Sequence, residues 1–149
     1  MSTATLDKFG YPASAIEDGL RWCVLLRPVQ VTLGSLVLIC KEPVQAFSEL
    51  SKEAFTDLRG VIGRIEHSLK SAFACDRINY LMLMMIDPDV HFHVIPRYAR
   101  ERRFADIVFC DTAWPGPPDL SCKNELDDAA REALRRHLIS TWNGSCHPA

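Results

Sequence analysis

The segment Asp87-Pro-Asp-Val-His-Phe-His-Val-Ile-Pro-Arg97 is the most informative part of this 149-residue chain. In a strand, successive side chains alternate faces. Asp89, His91 and His93 therefore share one side, and Val90, Phe92 and Val94 share the other. Same-face neighbours stand about 7 Å apart at the usual strand rise. One face thus offers two imidazoles and a carboxylate to a cleft. The other is apolar and suited to pack on a helix.

Upstream, Ile78 to Ile86 holds Leu-Met-Leu-Met-Met-Ile without a break, which reads as a strand covered on both faces. Asp87-Pro88 reads as a tight turn, so this strand and Val90–Ile95 form a hairpin. Met82, Met84 and Met85 read as core filler. Lys52 to Phe73 reads as a helix. Phe55, Leu58, Val61, Ile62, Ile65, Leu69 and Phe73 make one apolar stripe, with Ser51 as N-cap and Leu50 stapling to Phe55. Gly60 and Gly63 weaken its middle, so packing must hold it. Trp22–Leu26 and Ser35–Cys40 read as strands, the first ending at Arg27-Pro28 and the second entered through Gly34. The first 20 residues read as polar, irregular or briefly helical. Asn124 to Trp142 reads as a second helix carrying Leu126, Ala130, Ala133, Leu134 and Leu138 on one side. The order of elements is α+β. No linker divides the chain, so residues 1–149 read as one domain.

Composition narrows the partners. With 17 Lys and Arg against 19 Asp and Glu, the net charge is −2, and no global basic field exists to hold long nucleic acid. No apolar run approaches the roughly 20 residues that span a membrane. Met1 to Tyr11 lacks a basic-then-apolar leader pattern, and the expected compartment is the cytoplasm. The six cysteines are accordingly expected to be reduced packing residues rather than three disulfides. Their spacings fit no tetrahedral zinc pattern.

A His-x-His pair on a strand can be a solvated edge, a satisfied core residue or part of a metal site. The longer string shifts that balance. His-Phe-His-Val-Ile-Pro-Arg, after an apolar strand and before Tyr98, resembles the signature strand of the histidine triad (HIT) superfamily. Arg27-Pro-Val-Gln-Val-Thr-Leu-Gly34 with Ser35-Leu-Val-Leu-Ile-Cys-Lys41, and Phe47 to Leu58, resemble its substrate-side strands and the start of its long helix. The resemblance covers residues 20–100 and leaves a C-terminal loop and helix over 101–149.

The resemblance implies a central antiparallel sheet with one long helix and a C-terminal helix, and a homodimer. It implies hydrolysis at the α-phosphate of a small nucleotide: a dinucleoside polyphosphate, a nucleoside phosphoramidate or a nucleotidyl conjugate. His91 falls on the middle histidine, the nucleophile, and His93 on the last, which assists phosphate or leaving group. Neutral imidazole is a competent nucleophile near pH 7, so the residue types agree with that role. No cofactor is required, and no residue is assigned to a metal, although a divalent cation suits a polyphosphate substrate.

Two departures stand out. Asp89 replaces the first histidine. It is expected to be auxiliary and to point away from the phosphate, because its charge is unfavourable there. The hairpin also lacks the family's glycine-rich phosphate stretch. Arg27, Asp87 and Arg97 are therefore assigned to the nucleotide and its phosphates. Arg100, Arg102 and Arg103 read as a solvated loop. Trp114-Pro-Gly-Pro-Pro118 reads as a packed loop or a lid over the base, and His67 and His137 as structural. Two rivals remain: a nucleotidyltransferase, in which glutamine commonly replaces the last histidine, and a weakly catalytic nucleotide-binding or sensing protein.

Overall fold

The structure is a computed structural model that describes residues 4–142. The elements run α1 (Ala4–Lys8), β1 (Ala15–Asp18), β2 (Trp22–Leu26), β3 (Val29–Gln30), β4 (Leu36–Cys40), α2 (Lys52–Phe73), β5 (Arg77–Leu81), β6 (His91–Arg97), β7 (Arg102–Phe104), β8 (Ile107–Phe109), β9 (Asn124–Glu125) and α3 (Asp128–Trp142). Five strands form an antiparallel sheet in the order β1-β2-β4-β6-β5. The α+β class and the central sheet are as expected. No helix among the described residues is long and apolar enough to cross a membrane.

Every residue of β2 and β4 is buried, because both faces of the sheet centre are covered. Trp22, Val24, Leu26, Leu36, Leu38 and Val94 join Leu58, Val61, Ile65, Leu69 and Phe73 of α2 and Leu134 and Leu138 of α3 in the main core, whereas Phe55 of the expected stripe is exposed. Cys23, Leu25, Val37 and Ile39 point the other way and pack under Leu6 and Phe9. The N-terminal helix is thus part of the fold, and it covers the face that carries the histidines.

The caps of α2 follow its sequence. Ser51 Oγ accepts from Ala54 N at 3.0 Å, and the helix ends at Ala74 with φ 50°. Arg102 donates to the carbonyls of Phe73 and Ala74, a favourable cation at a helix C-terminus. The expected arginine loop therefore has one anchored member.

Two boundaries differ from expectation. The strand read over Ile78–Ile86 stops at Leu81, and Met82 to Val90 form a connecting loop instead of a tight hairpin turn. Within that loop Met85 and Ile86 are each 85% exposed, so the run is only partly core. Met82 and Met84 pack against the main core, as expected. The helix read from Asn124 starts at Asp128, because Asp127 Oδ1 caps Ala130 N at 2.7 Å and Asn124–Glu125 pair with β3. The described cysteines are free thiols, buried at positions 23, 40 and 75, half-buried at 122 and exposed at 110. Cys146 and His147 lie outside the described residues.

Candidate active site

Strand β6 pairs with β4 through Ile39↔His91 and Val37↔His93. The two imidazoles therefore rise from the middle of the sheet, on the face that α1 covers. His91 and His93 are 2% and 8% exposed. Their rings meet edge to face, with centroids 5.1 Å apart.

The tautomer of His91 follows from one contact. Its Nδ1 lies 2.6 Å from the backbone carbonyl of Asp89. A carbonyl only accepts, so Nδ1 carries the hydrogen and Nε2 keeps the lone pair. The Asp89 side chain is turned elsewhere, where Thr5 Oγ1 donates to its Oδ2 at 2.7 Å. Asp89 thus holds the nucleophile candidate through its main chain, while α1 holds Asp89. Sequence reasoning did not single out Thr5, which sits in a short helix with no local signal of a role.

His93 differs from its neighbour. Its Nδ1 is buried with no hydrogen-bond partner among the described residues. Burial, helped by Arg27 and His91, pushes its pKa down to about 4. It is therefore neutral near pH 7, rather than the protonated imidazole that would favour phosphate outright. The Phe9 ring packs edge-on at 6.0 Å.

Arg27 leaves β2 beside this pair. Its guanidinium lies 5.7 Å from the Phe9 ring centroid, Nη1 is buried without a hydrogen-bond partner among the described residues, and burial lowers its pKa. A guanidinium keeps its charge even so. The turn after it is fixed by Gln30, which sequence reasoning also missed. Gln30 Nε2 donates to the carbonyls of Arg27 and Ser35, and Oε1 accepts from Gly34 N and Ser35 N.

Two cavities share the wall made by Lys8, Phe9 and Arg27. The smaller, about 160 Å³, adds Leu83, Met84, Met85, Ile86, Asp87, His91 and His93. The larger, about 290 Å³, adds Pro28, Val29, Val31, Leu120, Cys122, Lys123 and Glu125. Asp87 is ion-paired with Lys8 at 2.8 Å.

Arg97 needs a correction. Expected at the phosphate, it instead donates to Asp111 through Nε at 2.6 Å and Nη2 at 3.1 Å, and to Asn79 through Nη1. The pair is buried, at 4% and 3% side-chain exposure, and Arg97 lines neither cavity. A bidentate carboxylate takes up the fork that a phosphate would need. Trp114–Pro118 and Arg100–Arg103 also line neither cavity. His67 and His137 are half-buried on α2 and α3. Among the described residues no group of three His, Cys, Asp or Glu is placed to hold a metal ion.

Among solved structures, a histidine triad protein from Sinorhizobium meliloti 1021 superposes with a TM-score of 0.74 at 18% identity, over 95% of this chain and 96% of its own. One from Marinobacter aquaeolei VT8 gives 0.70 at 18%, over 94% and 96%. Another from Bradyrhizobium japonicum gives 0.69 at 21%, over 97% and 96%. The chain has the histidine triad fold. No protein-family model matches the sequence of this histidine-triad-fold chain, nor does any curated protein. A backbone this close at such low identity shows the fold alone, so the chemistry rests on the site itself.

Proposed function

We propose that this protein hydrolyses a small nucleotide at its α-phosphate through a nucleotidyl-His91 intermediate. One observation carries the reading: the His91 Nδ1 to Asp89 carbonyl hydrogen bond. It commits the lone pair to Nε2, in a side chain that lines the same cavity as His93 and Arg27.

His91 Nε2 forms a bond to phosphorus as the bond to the leaving group breaks, and the leaving group takes that electron pair. The Asp89 carbonyl eases the positive charge then carried by the ring. Arg27 Nη1 meets a phosphoryl oxygen. Negative charge beside His93 raises its pKa against the effect of burial, and the protonated ring gives its proton to the leaving group. Water then adds to phosphorus as the N–P bond breaks. His93 takes the water's proton, His91 returns neutral, and a nucleoside monophosphate leaves. The base and ribose occupy the larger cavity, against Phe9, Pro28 and Val31. Asp87 takes part only through Lys8, which it neutralises and orients. The working unit in this reading is a cytoplasmic homodimer. It needs no cofactor beyond a divalent cation with a polyphosphate substrate.

The parent protein should release AMP from adenosine 5′-phosphoramidate. His91→Ala should lose about a thousandfold or more in kcat, the scale of nucleophile removal. Arg27→Gln should lose about a hundredfold in kcat/KM. AMP release unchanged in His91→Ala would overturn the reading. The pairing of Lys8 with Asp87, which withholds a cation from phosphate, favours a nucleotide sensor as the second reading. Tight nucleotide binding without any AMP release would select it. Passage of the nucleotide to added phosphate or pyrophosphate would select a transferase.

A further inference from the structure

The loop from Met82 to Ile86 exposes apolar side chains beside the two histidines. Leu83, Met85 and Ile86 are 47%, 85% and 85% exposed, yet they line the cavity of His91 and His93. Met84 between them takes φ 55°, a left-handed conformation that is strained for a non-glycine residue. Its half-buried side chain packs on the core. That anchor turns its two neighbours outward.

Resting on the proposed hydrolase reading, we infer that Leu83, Met85 and Ile86 form the leaving-group subsite of His91 and select an apolar, uncharged leaving group over a polyphosphate.

Charge and composition both point this way. A chain of phosphates leaving past this loop would meet three aliphatic side chains and the Asp87 carboxylate. The cation nearest that carboxylate, Lys8, is already paired with it. The loop supplies no hydroxyl, amide or guanidinium side chain to replace phosphate hydration, and desolvating unpaired charge is costly. An alkyl or aryl group would instead cover apolar surface, and removing that surface from water is favourable. A second copy of the chain fits the patch less well. Three side chains fall far short of the roughly 800 Å² per partner that a specific protein interface buries. The patch is also continuous with the wall that carries both histidines.

The test uses adenosine 5′-phosphoramidates of n-hexylamine and of 6-aminohexanoate. Their amines have nearly equal basicity and length and differ in terminal charge. The parent should prefer the hexyl amide by about tenfold in kcat/KM, the scale of a few methylenes in an apolar pocket. In Met85→Ser/Ile86→Ser that ratio should fall to about two or less. Both side chains are mostly exposed, so the double variant should fold, and its melting curve checks this. Equal rates on the two amides, or a ratio that the double variant leaves unchanged, would overturn the inference. So would faster cleavage of diadenosine triphosphate than of the hexyl amide. If neither amide turns over, calorimetric binding of the same pair decides. A tenfold tighter hexyl amide keeps the subsite while refuting the hydrolase; equal affinities refute the subsite. If the double variant changes sedimentation from dimer to monomer while the ratio stays flat, the patch is an interface between copies and the inference falls.

Discussion

At the scale of single residues, two neighbouring histidines are given opposite characters by their surroundings. A backbone carbonyl fixes His91 as the Nδ1–H tautomer. Burial, Arg27 and His91 hold His93 neutral, with a pKa of about 4 against an ordinary value of about 6.5. The stability consequence has a definite sign. Between about pH 6.5 and 4 the unfolded chain binds more protons at this position, so stability rises with pH there. The stabilisation is fully present above about pH 6.5 and is lost as pH falls towards 4. His93→Gln should flatten that part of the curve, as read by urea unfolding midpoints at pH 7, 5.5 and 4.5. An unchanged pH dependence would show that His93 titrates normally in the fold. The alternation Asp89-His91-His93 was legible in the sequence because a strand has period two. The partners Thr5 and Gln30 were not legible. Each is a lone polar residue whose role depends on a fold that brings it across 84 positions to Asp89, or back upon its own turn.

At the scale of elements, β6 is held at both ends by polar contacts. Asp89 binds α1 through Thr5, and Arg97 binds the loop after β8 through Asp111. Removing one partner of a buried pair strands the other charge. Asp111→Ala should cost about 3–5 kcal/mol, measured by denaturant unfolding, whereas Arg97→Met with Asp111→Leu should recover most of the loss. An equal loss in both would mean that the ion pair is not the cause. Gly34 is a second element-level constraint. It takes φ 87°, and a Cβ there would lie 3.0 Å from Leu69 Cδ2 and 3.2 Å from Phe73 Cε2. Gly34→Ala should therefore lower the melting temperature by several degrees, since positive φ and a crowded α2 both oppose it. The long helix was readable from its stripe because, from Leu58 to Phe73, its apolar period matches its burial. The run Ile78–Ile86 misled because unbroken apolar sequence does not distinguish a buried strand from a loop lining a cavity. The pairing of Asn124–Glu125 with β3 was hidden for a related reason, since a two-residue strand carries no periodic signal.

At the scale of the molecule, the sheet is closed on the histidine face by a five-residue helix. Leu6 is 3% and Phe9 6% exposed, and the same short segment supplies Thr5 to Asp89 and Lys8 and Phe9 to both cavities. Stability and site geometry are therefore coupled through α1. Leu6→Ala should cost about 2–5 kcal/mol and should also reduce kcat/KM on adenosine 5′-phosphoramidate. Full activity in a destabilised Leu6→Ala would separate the two. The net charge of −2 coexists with a local positive charge at Arg27, which lines the cavity of the two histidines.

In the proposed reaction His91 Nε2 becomes bonded to phosphorus. Rapid mixing with adenosine 5′-phosphoramidate, quenched in alkali to preserve the N–P bond, followed by peptide mass mapping, reads this directly. An adenylyl group is expected on the peptide bearing His91 within one turnover, absent in His91→Ala. AMP release with no adduct at any mixing time, or an adduct on another residue, would contradict it.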